Sequence, residues 1–505
     1  MELQSKLDTL RHGGAGKRRT VGLDDETIAR FARQDPRLEE AVDAALSARE
    51  CWQAVSPDLF DLDEQAQIER MHDHVACFYP DGTVNPYVAL GAKGPWIVTS
   101  LGAVLYDCGG YGMLGAGHAP DHVLRVLGAP HVMANVMTPS PSQMRLVQLL
   151  REEIGHSRDG GCPFESFLFL NSGSESMSVG ARIADMNAKV MTDLGGRHAG
   201  KPIRSLSLRK SFHGRTDRPA QFSDSTRETY EKHLASYRKL DSLLTVTPND
   251  VDELRAVFRR ADDEGFFIEA LFMEPVMGEG NPGMAITPEF YRAARELTLA
   301  HGSLLLVDSI QAGLRVQGCL SIVDYPGFQG EQAPDLETYS KAVNAGQFPL
   351  SVLAFNQRAQ EIQRPGIYGN TMTTNPKALD VAAAVLSSVT PELRANIRER
   401  GREAVELLEA LRAELGPELV TGVQGTGLLF SLELSDAFKC YGHDSTEEYL
   451  RLHGVNVIHG GRNSLRYTPQ FSVTSEELQL VVAATRDALL NGPRVSQDEA
   501  RRAVG

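Results

Sequence analysis

From about residue 86 onward the chain alternates short apolar runs with stretches of helical periodicity, and this alternation limits its fold more than any other feature. Phe167-Leu168-Phe169-Leu170 reads as a buried strand followed by a turn and a helix. Residues 206–208, 270–273, 304–307, 336–339 and 351–355 read as further short strands, with helical stretches such as 288–300 between several of them. Strands alternating with helices imply crossover connections, and so an α/β fold with a mostly parallel central sheet flanked by helices. In such sheets ligands gather at the carboxyl ends of the strands.

The flanks differ. Residues 1–85 are polar and mostly helical in pattern, most clearly at 27–33 and 39–52. After about 380 comes a helical region, then 427–434 as a strand and an α+β stretch to about 490. A length of 505 residues suits two or three domains. The expected division is a helical N-terminal extension (1–85), a first part of a small domain (86–121), a large ligand-binding domain (122–380), the rest of the small α+β domain (381–495) and a tail (496–505).

Charge and cysteine usage narrow the function classes. The net charge of -15 argues against general nucleic-acid binding, and Lys17-Arg18-Arg19 is too short to reverse that. The six cysteines, at 51, 77, 108, 162, 319 and 440, form no CxxC pair. They fit a reducing cytoplasm better than a disulfide framework or a zinc ribbon. The N-terminus carries Glu2 and Asp8 and no apolar core, unlike a signal peptide, and no apolar run approaches the roughly 20 residues that span a bilayer. His72 and His74 flank an acidic residue without an evident third ligand, so they read as a surface helix and no metal site is expected.

One motif misleads. Gly110-Tyr111-Gly112-Met113-Leu114-Gly115 matches GxGxxG, but a dinucleotide site wants an acidic residue about 20 positions further on. The stretch 123–151 contains no Asp or Glu, so a glycine-rich turn is the better reading.

Four other segments follow strands and carry chemistry. Asn171-Ser172-Gly173-Ser174-Glu175-Ser176 opens a helix, where free N–H groups and a glycine permit a phosphate cup; serine is also an ordinary helix cap. Ser211-Phe212-His213-Gly214-Arg215-Thr216 offers an aromatic that can stack on a flat ring. Asp308 ends a run of apolar residues, where a carboxylate is costly unless paired. A pyridine nitrogen would pair it, and so would a buried salt bridge. Lys341 follows 336–339 and precedes a small-residue turn; in a partly dry pocket its lowered pKa would let it attack an aldehyde.

In this order, on one alternating sheet, the segments resemble the class III (ornithine/GABA/acetylornithine-like) aminotransferases of pyridoxal-phosphate (PLP) fold type I, over about 95–480. The resemblance extends to Glu274-Pro275-Val276-Met277-Gly278-Glu279-Gly280, Tyr368-Gly369-Asn370-Thr371 with Asn375-Pro376, Gly425-Thr426-Gly427-Leu428 and Leu465-Arg466-Tyr467-Thr468-Pro469. It implies an enzyme that moves an amino group from an amino acid or ω-amine to a 2-oxo acid through a Lys341 Schiff base (aldimine). By this similarity Gly173 and Ser174 hold the cofactor phosphate. Phe212 stacks on the ring within a loop that includes His213, Asp308 bonds the ring nitrogen, and Gln311 approaches the ring hydroxyl. Thr371, with Thr373 and Thr374 as near rivals, would reach the phosphate of a neighbouring subunit, which implies a homodimer with interfacial active sites. Arg466 sits where the family binds a substrate carboxylate, and Glu279 where some members hold that arginine. Arg215 is a second carboxylate candidate and Tyr111 a substrate-facing aromatic.

The chain also departs from the family pattern. Ser309 stands where a glutamate usually follows the aspartate, and Met277 replaces a common glutamine. Residues 314–318 and 343–347 differ from the usual runs, and the turn at 109–118 is one residue short. These changes spare the cofactor chemistry and surround the substrate. A racemase/epimerase or lyase on the same scaffold is the alternative, since one carbanion serves all three outcomes. A non-catalytic scaffold protein is opposed by the presence of both Asp308 and Lys341. The extension at 1–85 lies outside the resemblance and is expected to cover the active-site entrance or the dimer interface.

Overall fold

The computed structural model describes residues 2–133, 135–238 and 242–495, apart from the side chain of Asp81; the expected tail at 496–505 lies outside the described residues. The chain forms two compact units. The larger comprises 122–398 and 425–429, and the smaller comprises the rest. The larger unit thus continues past 380, through the helix Pro376–Ser387, to Arg398.

A seven-stranded sheet forms the larger unit's centre. Its strands are β1 (Ser166–Leu170), β2 (Ile203–Leu208), β3 (Leu243–Val246), β4 (Phe267–Met273), β5 (Leu304–Asp308), β6 (Leu336–Tyr339) and β7 (Ser351–Phe355), in the spatial order β1-β7-β6-β5-β4-β2-β3. The pairs from β3 to β6 are parallel, and β7 runs antiparallel to both of its neighbours, β6 and β1. Strands β4 to β7 are buried at every position, which is why they read as continuous apolar runs rather than as an alternating pattern. The edge strand β3 escaped the sequence reading because four residues, LLTV, carry too little pattern.

Helix α1 (Gly173–Thr192) follows β1. The Ser172 hydroxyl caps it by accepting from the Glu175 N–H at 3.2 Å. Its apolar face, Met177, Ala181 and Ile183, joins Phe272, Leu306 and Leu353 in one core cluster. A Cβ on Gly180 would overlap the Leu306 side chain, so glycine there sets how closely the helix approaches the sheet. That approach fixes the helix start beside the strand ends.

The smaller unit holds two four-stranded sheets. Ala89–Lys93, Trp96–Thr99 and Val104–Asp107 form an antiparallel meander, and Val455–Asn456 adds a parallel strand. Val420–Thr426, Leu429–Leu434, Ser464–Tyr467 and Ile458–Gly460 form the second sheet. Helices Asp25–Gln34 and Arg37–Val55 of the N-terminal extension belong to this unit, the second packed on the meander. The Asp35 carboxylate accepts from Trp96 Nε1 at 2.8 Å, and Arg37 joins Asp35 to Gln470. Such part-buried polar anchors tie the extension to its own unit. The GxGxxG stretch is a turn, with Tyr111 and Gly112 both at positive φ.

Candidate active site

Asp308 closes β5 and Lys341 follows β6 by two residues. These strands are parallel neighbours, with Asp308 level with Thr338. Both groups therefore emerge at the carboxyl edge of the sheet, from strands about 4.8 Å apart. Lys341 begins a short 3₁₀ turn, Lys341–Asn344, and has a φ of 34°. A lysine in the left-handed region is strained and needs support from its surroundings. The support is visible: Ser340 Oγ and Asn344 Nδ2 both donate to the Leu350 carbonyl, at 2.7 and 2.9 Å, and Asn344 Oδ1 accepts from the Gly346 N–H at 2.9 Å. Asn344 thus clamps the turn from both ends of its amide.

Asp308 is buried, and its carboxylate is paired. Oδ1 accepts from the Ile310 N–H at 3.1 Å, and Oδ2 lies 2.8 Å from Nδ1 of the buried His213, which donates to it. The other ring nitrogen of His213 faces Ser207 Oγ at 3.3 Å. Beside this pair lies Glu274, which the sequence reading quoted as part of a motif without giving it a role. Its two oxygens accept from the Phe212 N–H at 3.0 Å and the Gly278 N–H at 2.9 Å. One carboxylate therefore fixes both the aromatic loop and the loop that approaches Gln311. Burial pushes the Glu274 carboxyl up to about 7; nearby His213 opposes this, and Asp308 adds to it.

Close backbone approaches shape the same edge. A Cβ on Gly214, whose φ is 119°, would overlap the Ser174 hydroxyl. A Cβ on Gly278 would overlap the Gln311 side-chain amide, and one on Gly173 would press on Ile310. Ser174 Oγ and Thr216 Oγ1 are 2.9 Å apart, which ties the helix start to the aromatic loop. The structure brings Gly173, Ser174, Phe212, His213, Asp308 and Gln311 to one region through these contacts, with Lys341 on the adjoining strand end.

Ser309, just past the end of β5, is tied to the neighbouring strand β6. Its hydroxyl donates to Oε1 of Glu337 at 2.6 Å, and Ser321 Oγ donates to Oε2 at 2.5 Å. Burial raises the Glu337 carboxyl to about 7 against these two hydroxyls and the Ile322 N–H.

The loop carrying Thr371 is anchored to the first turn of α1 in its own chain. Tyr368 Oη and Asn370 Nδ2 both donate to Glu175 Oε1, the latter at 2.8 Å. The other Glu175 oxygen accepts from the Asn171 N–H at 2.7 Å. Thr371 itself is exposed. Sequence pattern gave no sign of this anchor, because a glutamate at a helix start reads only as a favourable dipole contact.

Among the substrate candidates, Arg215 pairs with Glu279, Nη2 to Oε1 at 3.2 Å, with its guanidinium 5.3 Å from the Phe212 ring centre. The expectation had matched Glu279 to Arg466; the structure gives Arg215 as a partner of Glu279. Tyr111 and Arg466 lie in the smaller unit. Arg466 is a buried residue of Ser464–Tyr467, registered with Ser431. Tyr111 is 38% exposed; partial desolvation raises its hydroxyl, with Arg451 and Arg466 acting in the opposite sense. Among the described residues no group of three or more His, Cys, Asp or Glu could hold a metal ion.

The donor set fits a phosphorylated pyridine aldehyde. The Gly173 and Ser174 N–H groups at a capped helix start suit a dianion. A buried carboxylate held by a histidine suits a protonated ring nitrogen. The glycines let the segments that carry these groups approach one another closely.

The sequence model of the family described as "Aminotransferase class-III" matches residues 78–489. The acetylornithine aminotransferase of Neisseria meningitidis serogroup B is 26% identical over 407 residues, covering 79% of this chain and 93% of that protein. The crystal structure of the ornithine aminotransferase from Toxoplasma gondii ME49 superposes with a TM-score of 0.72 at 21% identity, covering 87% of this chain and 98% of that one. A second structure of the T. gondii ornithine aminotransferase, described with partial occupancy of PLP at its active site, gives 0.70 at 22% identity over 86% and 96%.

Proposed function

From the premise that this chain belongs to the class III aminotransferase family, and so is a PLP-dependent aminotransferase, we propose that Lys341 and Asp308 are its catalytic pair. We further propose that it transfers the amino group of a carboxylate-bearing amino acid or ω-amine, of the kind named by its ornithine and acetylornithine relatives, to a 2-oxo acid. The observation that carries the assignment is the buried His213–Asp308 pair beside the strand end that presents Lys341.

When bound, PLP supplies an aldehyde that accepts the amino group and a ring that draws electron density from the substrate carbon. The chain's own residues do the rest. The N–H groups of Gly173 and Ser174 would hold the cofactor's phosphate at the start of α1. Asp308, oriented by His213, would hold its ring nitrogen, with Phe212 and Gln311 as further ring contacts. Lys341 would hold its aldehyde carbon through Nζ, and the same Nζ would be the group that takes up and returns the substrate's proton. Arg215 would bind a substrate carboxylate, and Glu279 would mask it in the absence of one.

The working assembly in this reading is a homodimer in which Thr371 serves the partner's phosphate. Exposed apolar side chains at Met133, Val136 and Met137, close in sequence, and at Met372, beside Thr371, support it, since exposed apolar groups are favoured at association surfaces. The six free cysteines support a cytoplasmic location. No helix among the described residues is long and apolar enough to cross a membrane.

The test is Lys341→Ala together with a donor screen on the wild-type enzyme. The variant is expected to keep its far-ultraviolet circular dichroism and to lose both turnover and the visible absorption of the lysine-attached cofactor. Retained turnover would overturn the assignment. Ornithine, acetylornithine, lysine and glutamate, tried singly, are expected to include a donor that converts the cofactor to its amine form with no acceptor present.

A further inference from the structure

Two carboxylates stand side by side at the carboxyl edge of the sheet. Strands β4 and β5 are parallel neighbours in which Met273 is level with Val307, so the next residues, Glu274 and Asp308, fall beside each other where the strands end. Neighbouring strands lie about 4.8 Å apart. Both side chains are buried, and both turn to the loop after β2: Asp308 Oδ2 accepts from His213 Nδ1 at 2.8 Å, and Glu274 Oε2 accepts from the Phe212 N–H at 3.0 Å. Of the two, only Asp308 has a part in the catalytic assignment.

Like charges in a dry site oppose each other's ionisation, so two buried carboxylates this close need more than one counter-charge. Asp308 has a histidine on it. The groups that hold Glu274 are the backbone amides of Phe212 and Gly278, which favour the ionised form yet carry no net charge. Its holders being uncharged, Glu274 is the one of the two that takes up a proton. Burial, opposed by His213 and aided by Asp308, accordingly places its carboxyl at about 7.

We propose that Glu274 is a second counter-ion for the cofactor ring, protonated while the site is empty and ionised once a protonated ring nitrogen lies beside Asp308. The inference rests on the reading of Asp308 as the ring nitrogen's partner. A cation brought to Asp308 lets the neighbouring carboxylate ionise whatever the charge on His213. The O–H bond of the Glu274 carboxyl breaks, its electron pair stays on oxygen and the proton goes to solvent. The ionised form is the stronger acceptor for the Phe212 and Gly278 N–H groups, so loading also tightens the loop that carries Phe212 and the loop that approaches Gln311. Glu274 is thus a positioning residue, acting through these loops and through its charge. Because the empty protein binds more proton than the loaded one, cofactor affinity should rise with pH through about 7.

Calorimetric loading of the cofactor-free, full-length chain with PLP near neutral pH, in buffers of different ionisation enthalpy, counts the protons released. Wild type is expected to release about half a proton per site more than Glu274→Gln, since a carboxyl at about 7 is then half protonated. With the PLP analogue that has CH in place of the ring nitrogen, and so brings no ring cation, the two should release equally. The infrared difference spectrum of wild type needs no substitution: loading with PLP should diminish the carbonyl band of a buried protonated carboxyl, and loading with the CH analogue should leave it. The visible absorption of the lysine-attached cofactor tests the underlying reading separately; its absence on loading overturns that reading and this inference with it. Where that absorption appears, the counter-ion proposal alone is overturned if wild type and variant release equal numbers of protons with PLP, or if the infrared band responds alike to PLP and the CH analogue.

Discussion

His213 Nδ1 lies 2.8 Å from Asp308 Oδ2, with both side chains buried at the carboxyl edge of the sheet. The pair joins a loop after β2 to the end of β5, and Glu274 then ties the same loop to residue 278. The orientation of Asp308 therefore depends on groups that are remote from it in sequence.

His213→Ala removes the donor to Asp308 and leaves a buried carboxylate with one fewer partner. Charge-assisted hydrogen bonds are worth roughly 1.5–3 kcal/mol, so cofactor affinity and kcat/KM should each fall by about 10- to 100-fold. Because the effect passes through Asp308, the pH dependence of the bound cofactor's visible absorption should shift as well. A purely structural histidine would lower thermal stability and leave that spectroscopic pH profile in place.

Gly214→Ala and Gly278→Ala each place a methyl group where a neighbouring side chain already sits, Ser174 Oγ in one case and the Gln311 amide in the other. At Gly214 the positive φ adds backbone strain. Both variants are expected to purify with much less bound cofactor, measured as the ratio of visible to protein absorbance, while far-ultraviolet circular dichroism is unchanged. Full cofactor occupancy in either would show that the cradle is looser than the geometry implies.

Glu175→Ala cuts the anchor of Tyr368 and Asn370 without touching Asp308 or Lys341. Losing contacts to a charged acceptor should cost about 1–3 kcal/mol locally. Proteolysis within 365–372 should accelerate, and if Thr371 serves a partner's phosphate, cofactor should dissociate faster as well. Unchanged proteolysis at this loop would count against the anchor.

Burial raises Glu337 and Glu274 to about 7 from an ordinary glutamate value of 4.5. Each therefore binds more proton in the folded than in the unfolded state between those values. The stability they contribute is fully present below about 4.5 and is lost as pH rises through about 7. Glu337→Gln should remove part of this dependence: the difference in melting temperature between variant and wild type should move in the variant's favour as pH rises from about 5 to about 8. A difference independent of pH would show that Glu337 stays ionised throughout.

Arg215→Ala should raise KM for a carboxylate substrate about 10- to 100-fold with a smaller change in kcat, as expected for a group that binds ground state and transition state alike. Its pairing with Glu279 predicts a companion result: Glu279→Ala should lower KM for the same substrate by unmasking the guanidinium.

Much of this was legible before any coordinates. Strands β4 to β7 announce themselves as apolar runs, and their spacing from helical segments fixes a mostly parallel sheet. Asp308 and Lys341 stand out because an acid and a base directly after such runs demand an explanation. The helix start at Gly173 was legible as a cap, since capping chemistry is local. The edge strand β3 was not, and neither was the reversed direction of β7, which depends on its neighbours rather than its own residues.

By itself, then, the sequence determined the class of fold, the order of the strand-end motifs and the identity of the groups capable of the chemistry, because each is written in side chains within a few positions of one another. Only the tertiary structure decided which groups act together: His213 with Asp308, Ser309 with Glu337, Tyr368 with Glu175, and Arg215 with Glu279. Those pairings join residues from separate strands and loops, and hydrogen bonds reach only about 3 Å. Strand order and helix packing bring such atoms within that range, and these are set by how the whole apolar interior fits together.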